Sequence, residues 1–83
     1  MAEKTHVLVV DDEKVVRDGC SRVLMGKGYE ITTAENGKQA LEILAAQKID
    51  IILLDLKMPV MGGEEVLLKT REICPEIPVI VIT

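Results

Sequence analysis

Aromatic residues are almost missing from this 83-residue chain: Tyr29 stands alone, with no Phe and no Trp. The core must therefore be aliphatic, and the stacking platforms on which single-stranded nucleic acids rest are absent. Basic residues are short as well, 10 against 14 acids for a net charge of −4, which excludes a strongly basic nucleic-acid binder. Nowhere do about 18 apolar residues run together, the length a membrane-crossing helix needs. Cysteine is limited to Cys20 and Cys74, with no C-x-x-C spacing, and the single histidine, His6, lies in an apolar run. That set gives little support to a thiolate-metal site or a disulfide scaffold; two small buried thiols in a reducing cytoplasm fit it better. The polar start, Met1-Ala-Glu-Lys-Thr-His6, leads straight into a strand pattern, so no secretory leader is expected.

What is present is a large aliphatic fraction. Hydrophobic residues make up 48% of the chain, too many for a disordered tail at this charge, and the length allows one domain, residues 1–83. The hydrophobic period switches along the chain. His6-Val-Leu-Val-Val10 is a short apolar run of strand type; Val16, Cys20, Val23 and Leu24 follow at helical spacing until Gly26-Lys-Gly28 ends them. Gly19 inside that helix is expected to permit close packing on the sheet, against a cost of about 1 kcal/mol relative to Ala. Tyr29 to Thr33 alternates as a strand, Asn36-Gly37 enters a helix with an Ala40, Leu41, Ile43, Leu44 stripe, and Ile49 to Leu54 is a third strand ending at Asp55. A loop shaped by Pro59 and Gly62-Gly63 leads to a third helix over Glu64 to Ile73, with Val66, Leu67, Thr70 and Ile73 on one face, and Pro78 to Thr83 is a fourth strand. Apolar strands alternating with helices predict an α/β fold with a parallel sheet covered on both faces and right-handed crossovers.

All strand C-termini of such a sheet lie along one edge, where open α/β sheets bind ligands. The first strand ends at Asp11-Asp12 and the third at Asp55. If these strands are neighbours, three acids converge, at least one with a raised pKa. A hard divalent cation such as Mg²⁺ compensates that charge and accepts phosphate oxygens, with Asp55 available as a nucleophile. Each residue has a plainer role open to it. Asp11 and Asp12 can cap the following helix, Asp55 can be a loop acid, and Lys57 a solvated loop residue; in the metal-site reading Lys57 offers only its backbone carbonyl. Thr83 suits a strand by propensity, or its hydroxyl donates to a phosphoryl group carried by Asp55.

Taken together, Val7-Leu-Val-Val-Asp-Asp-Glu13, Ala34-Glu-Asn-Gly37 with Ala40-Leu41, Asp50-Ile-Ile-Leu-Leu-Asp-Leu-Lys-Met-Pro59, Gly63 and Pro78-Val-Ile-Val-Ile-Thr83 span the chain in order. In these motifs the chain resembles the receiver domain of two-component response regulators. The resemblance implies a flavodoxin-like, three-layer fold with strand order 2-1-3-4-5, of which this chain holds 2-1-3-4. It implies phosphoryl transfer from a sensor histidine kinase or phosphotransfer protein to Asp55, and Mg²⁺ held by the Asp12 and Asp55 carboxylates, the Lys57 carbonyl and, through water, Asp11. Thr83 is then the switch hydroxyl. It also implies a cytoplasmic phosphoacceptor that assists its own phosphorylation and dephosphorylation, not a conventional enzyme.

Against the family pattern, Gly62 stands where an Asp is often found. The chain also stops before the fifth strand and the last two helices, as expected of the N-terminal two-thirds of a receiver domain. Weak phosphorylation, absent signal transmission and self-association through an exposed fourth strand are expected from that. Two alternatives are a receiver-like scaffold disabled by truncation and an aspartyl-phosphate phosphohydrolase. The latter is disfavoured by Lys57, where many such enzymes carry a second Asp.

Overall fold

The computed structural model describes residues 4–55 and 63–82. Its elements run β1 (His6–Val10), α1 (Lys14–Gly26), β2 (Glu30–Ala34), α2 (Gly37–Ala46), β3 (Ile51–Leu54), α3 (Gly63–Ile73) and β4 (Val79–Val81). The four strands form one parallel sheet, as the alternation of strand and helix patterns predicts, in the order β2-β1-β3-β4 that the family resemblance implies. β1 is central, with Val10 opposite Ala34 on one side and Leu54 on the other.

Alternation along the strands divides the core between the two sheet faces. Leu8, Val10, Ile52 and Leu54 pack with Ala40 and Leu44 of α2, Val66 of α3, and Ala34 and Ile49. Val7 and Val9 point to the opposite face, where α1 lies against β1 and β2. That second layer is thinner: no residue of α1 is fully buried. A groove of about 330 Å³ lined by Gly19, Cys20, Val23, Leu24 and Leu53 runs beside it. Close packing at Gly19 is not found, since a Cβ there meets no atom within 4 Å. Val23 and Ile73, placed on apolar faces by periodicity, are each 59% exposed.

The helix ends follow their local chemistry. Gly28 adopts a φ of +91°, the left-handed conformation that glycine takes without steric cost. Its N–H and that of Tyr29 bond back to the Met25 and Leu24 carbonyls. Asn36 caps α2, its Oδ1 accepting from the Gln39 N–H at 2.8 Å, while Gln39 Oε1 accepts from the Glu35 N–H at 2.7 Å, a reciprocal arrangement of the capping-box kind. Glu64 and Glu65 stand in the first turn of α3 and Arg71 in its last, matching the helix dipole. His6 fills a structural role at the N-terminal rim. Its Nε2 lies 2.6 Å from Thr32 Oγ1 and its N–H donates to Asp50 Oδ2.

An acidic cluster at the C-terminal edge of the sheet

Parallel pairing carries one residue beyond the strands and aligns their tips. The Asp11 N–H donates to the Ala34 carbonyl at 3.1 Å, the Asp55 N–H to the Val10 carbonyl at 3.0 Å, and the Ile82 N–H to the Leu54 carbonyl at 3.0 Å. Asp11 and Asp55 are thereby set on adjacent strands, and Asp12 follows in the turn. One carboxylate oxygen from each of Asp11, Asp12 and Asp55 lies within 4.8 Å of the other two. Asp11 and Asp55 are buried and Asp12 is exposed.

The capping alternative does not hold for Asp12. The residue at the start of α1 is Glu13, and its side chain makes no cap hydrogen bond. Asp11 instead accepts the Glu13 N–H on Oδ1 at 2.9 Å, a local turn of the Asx type. Burial pushes the Asp11 carboxyl above its ordinary range. The Glu13 N–H opposes that shift, and the charges of Asp55, Asp12 and Glu13 add to it. The rise agrees with the convergence expected from the strand ends. Lys57 and Thr83, the other two candidate residues, lie outside the described residues.

This donor set fits a hard divalent cation. It is all oxygen, it carries concentrated negative charge, and part of it is withdrawn from water. Mg²⁺ takes oxygens at about 2.0–2.1 Å and keeps several waters. Three carboxylates together with such waters could supply its coordination sphere.

One neighbour of the cluster is invisible in the hydropathy pattern. Arg17 of α1 donates from Nη1 to the Asp11 carbonyl oxygen at 2.7 Å, and its Nη2 lies 3.9 Å from Glu35 Oε2. In the sequence Arg17 is a polar spacer between apolar helix positions, with nothing to separate it from Arg22.

A parallel sheet with helices on both faces and acids at the tips of two adjacent central strands is an α/β domain with a cluster able to hold a cation at the edge where such sheets bind ligands. A family model of the response regulator receiver domain matches residues 7–83, and the chain belongs to that family. It is 40% identical over 79 residues to the response regulator SaeR of Staphylococcus epidermidis, an alignment that covers 95% of this chain and 34% of that protein. The chain spans about a third of the length of such curated relatives. Among solved structures it resembles the response regulator TrrA of Thermotoga maritima in complex with Mg²⁺-BeF. Identity is 38% and the TM-score 0.89, over 93% of this chain and 67% of that one. A complex of histidine kinase ThkA with TrrA matches at 38% identity and a TM-score of 0.89, over 95% of this chain and 68% of that one. Among the described residues no helix is long and apolar enough to cross a membrane.

Proposed function

We propose that this chain is the phosphoacceptor segment of a two-component response regulator, with Asp55 receiving the phosphoryl group. The observation that carries the proposal is the meeting of Asp11, Asp12 and Asp55 within 4.8 Å at the C-terminal sheet edge, in a chain of the receiver family. An Asp55 carboxylate oxygen forms the new P–O bond as the P–N bond of a phosphohistidine breaks. The electron pair leaves with the imidazole nitrogen, and Asp55 becomes an acyl phosphate. The backbone holds Asp55 in place through its N–H bond to Val10, so positioning precedes reaction. The Asp12 and Asp55 carboxylates would hold Mg²⁺, with the Lys57 carbonyl as an added ligand and Asp11 acting through water. When bound, the cation offsets negative charge on the acceptor and on the transferring group.

The phosphodonor is a sensor histidine kinase or a phosphotransfer protein, in keeping with the kinase complex of TrrA. The reaction is assigned to the cytoplasm, as the resemblance to response regulators implies. Thr83 is the hydroxyl that meets the phosphoryl oxygens. The role is that of an acceptor that is modified and reset, not of an enzyme with a free substrate. The test is intact-mass measurement after incubation with Mg²⁺ and phosphoramidate, a small donor with the same P–N bond. One phosphoryl group is gained, and the gain is lost in Asp55→Asn. A folded chain that gains nothing, or an Asp55→Asn variant that still does, refutes the assignment.

A further inference from the structure

The acids of the cluster rest on two supports. The Asp11 and Asp55 N–H groups both extend the sheet, to Ala34 and Val10, whereas Asp12 sits in the turn between β1 and α1 that starts at the Asp11 carbonyl, and the shape of that turn places the Asp12 carboxylate. Asp11 is held there at three atoms: its N–H by Ala34, its carboxylate by the Glu13 N–H, and its carbonyl oxygen by Arg17 at 2.7 Å. The first two follow from the end of a strand and a local turn. The third comes from a side chain one helical turn into α1, only 14% exposed although charged. Its other end faces Glu35 in the turn between β2 and α2, so Arg17 ties together two turns of the same rim. The peptide unit is planar. Fixing the direction of the Asp11 carbonyl therefore fixes the plane that carries the Asp12 N–H and Cα.

We infer that Arg17 is a positioning residue for cation binding: through the Asp11 carbonyl it holds the Asp11–Asp12 turn in the shape that lets both carboxylates face Asp55. This rests on the proposed cation site and adds to it a residue that touches neither cation nor phosphoryl group. Enclosing a guanidinium is costly unless it is well bonded, and here its shortest contact is to a backbone oxygen. That is the expected pattern for a residue selected for the geometry it imposes. Partners that orient ligands in this way typically change metal affinity by about 10- to 100-fold when removed.

The test uses calorimetric Mg²⁺ titration of the whole chain, alongside hydrogen exchange of the Glu13 amide without metal. Arg17→Met is expected to bind Mg²⁺ about tenfold more weakly and to exchange the Glu13 amide faster. Arg17→Lys keeps the charge but replaces a rigid fork with one point donor, so it falls between the two on both readouts. Lys14→Gln removes a positive charge from the same helix at an exposed pair with Asp18. It is expected to bind like the parent, which separates positioning from the general field. Equal affinity in Arg17→Met and the parent, or equal weakening in Lys14→Gln, overturns the inference. If Arg17→Met does not fold, Arg17→Lys decides: unchanged affinity together with unchanged exchange overturns it. A parent chain that takes up no Mg²⁺ defeats the proposed function instead. The role of Arg17 in the turn is then judged on the Glu13 exchange alone, where no change in either variant overturns it.

Discussion

Asp11 and Asp55 stand side by side on hydrogen-bonded parallel strands, 1% and 4% exposed, directly after the aliphatic runs 7–10 and 51–54. Two acids withdrawn from water at such close range, with Asp12 beside them, are a local electrostatic burden on the fold. The burden is relieved by a cation or by a proton, and each route gives a measurable consequence.

Adding Mg²⁺ is expected to stabilise the chain. At about 100 times the dissociation constant the gain is ~2.7 kcal/mol, which for a domain of this size raises Tm on the order of 10 °C. A chelator reverses it, and Asp12→Asn reduces it. A melting curve that does not move with Mg²⁺ contradicts the site.

Without metal, acid takes over the role of the cation. The Asp11 carboxyl lies above its ordinary value of 3.8 in the fold. Its contribution to stability is therefore fully present below 3.8 and is lost as pH rises through the folded value. Asp18, lowered first by its hydrogen bond from Lys14, has the opposite sign: its contribution is lost only as pH falls below 3.8. Asp11→Asn is thus expected to be more stable than the parent at neutral pH, with the gap closing as pH falls toward 3.8. Chemical denaturation of both chains across that range checks it; a gap independent of pH counts against the assignment.

Gly19 sits in the interior of α1, exposed, with no atom within 4 Å of a Cβ placed on it. Gly19→Ala therefore gains helix propensity with no clash, and stability is expected to rise by about 1 kcal/mol. Thermal melting decides. A loss of stability reveals a close packing demand at that position.

β4 is the outermost strand of the sheet among the described residues, and its Ile80 and Val81 are 50% and 44% exposed. An apolar edge of this kind invites pairing between chains. Light scattering over a concentration series is expected to show self-association, diminished in Ile80→Lys. A monomer at every concentration refutes it.

Much of the architecture was already written in the chain. The apolar runs at His6–Val10 and Ile49–Leu54, the Gly28 stop and the Asn36 helix entry are local signals, each with a mechanism that acts over a few residues. Element ends shifted by a residue or two where hydrogen bonding decided, as at β2, which begins at Glu30 and not at Tyr29. The candidate acids Asp11, Asp12 and Asp55 were legible because a strand run ending in carboxylates is unusual and the motif order is that of the receiver family.

Local pattern could not reveal which apolar helix positions are covered, because that depends on what the fold packs against each of them. Ile73 and Val23 look like core by period and are exposed in space. Nor could it reveal Arg17, since a polar helix residue shows its purpose only when the fold brings the Asp11 carbonyl and Glu35 to opposite ends of its guanidinium. Periodicity therefore determined the elements and the residues at the strand tips. Tertiary structure alone decided that the tips meet and what props them, because hydrogen bonding between β1 and β3 and the reach of one buried side chain are long-range relations.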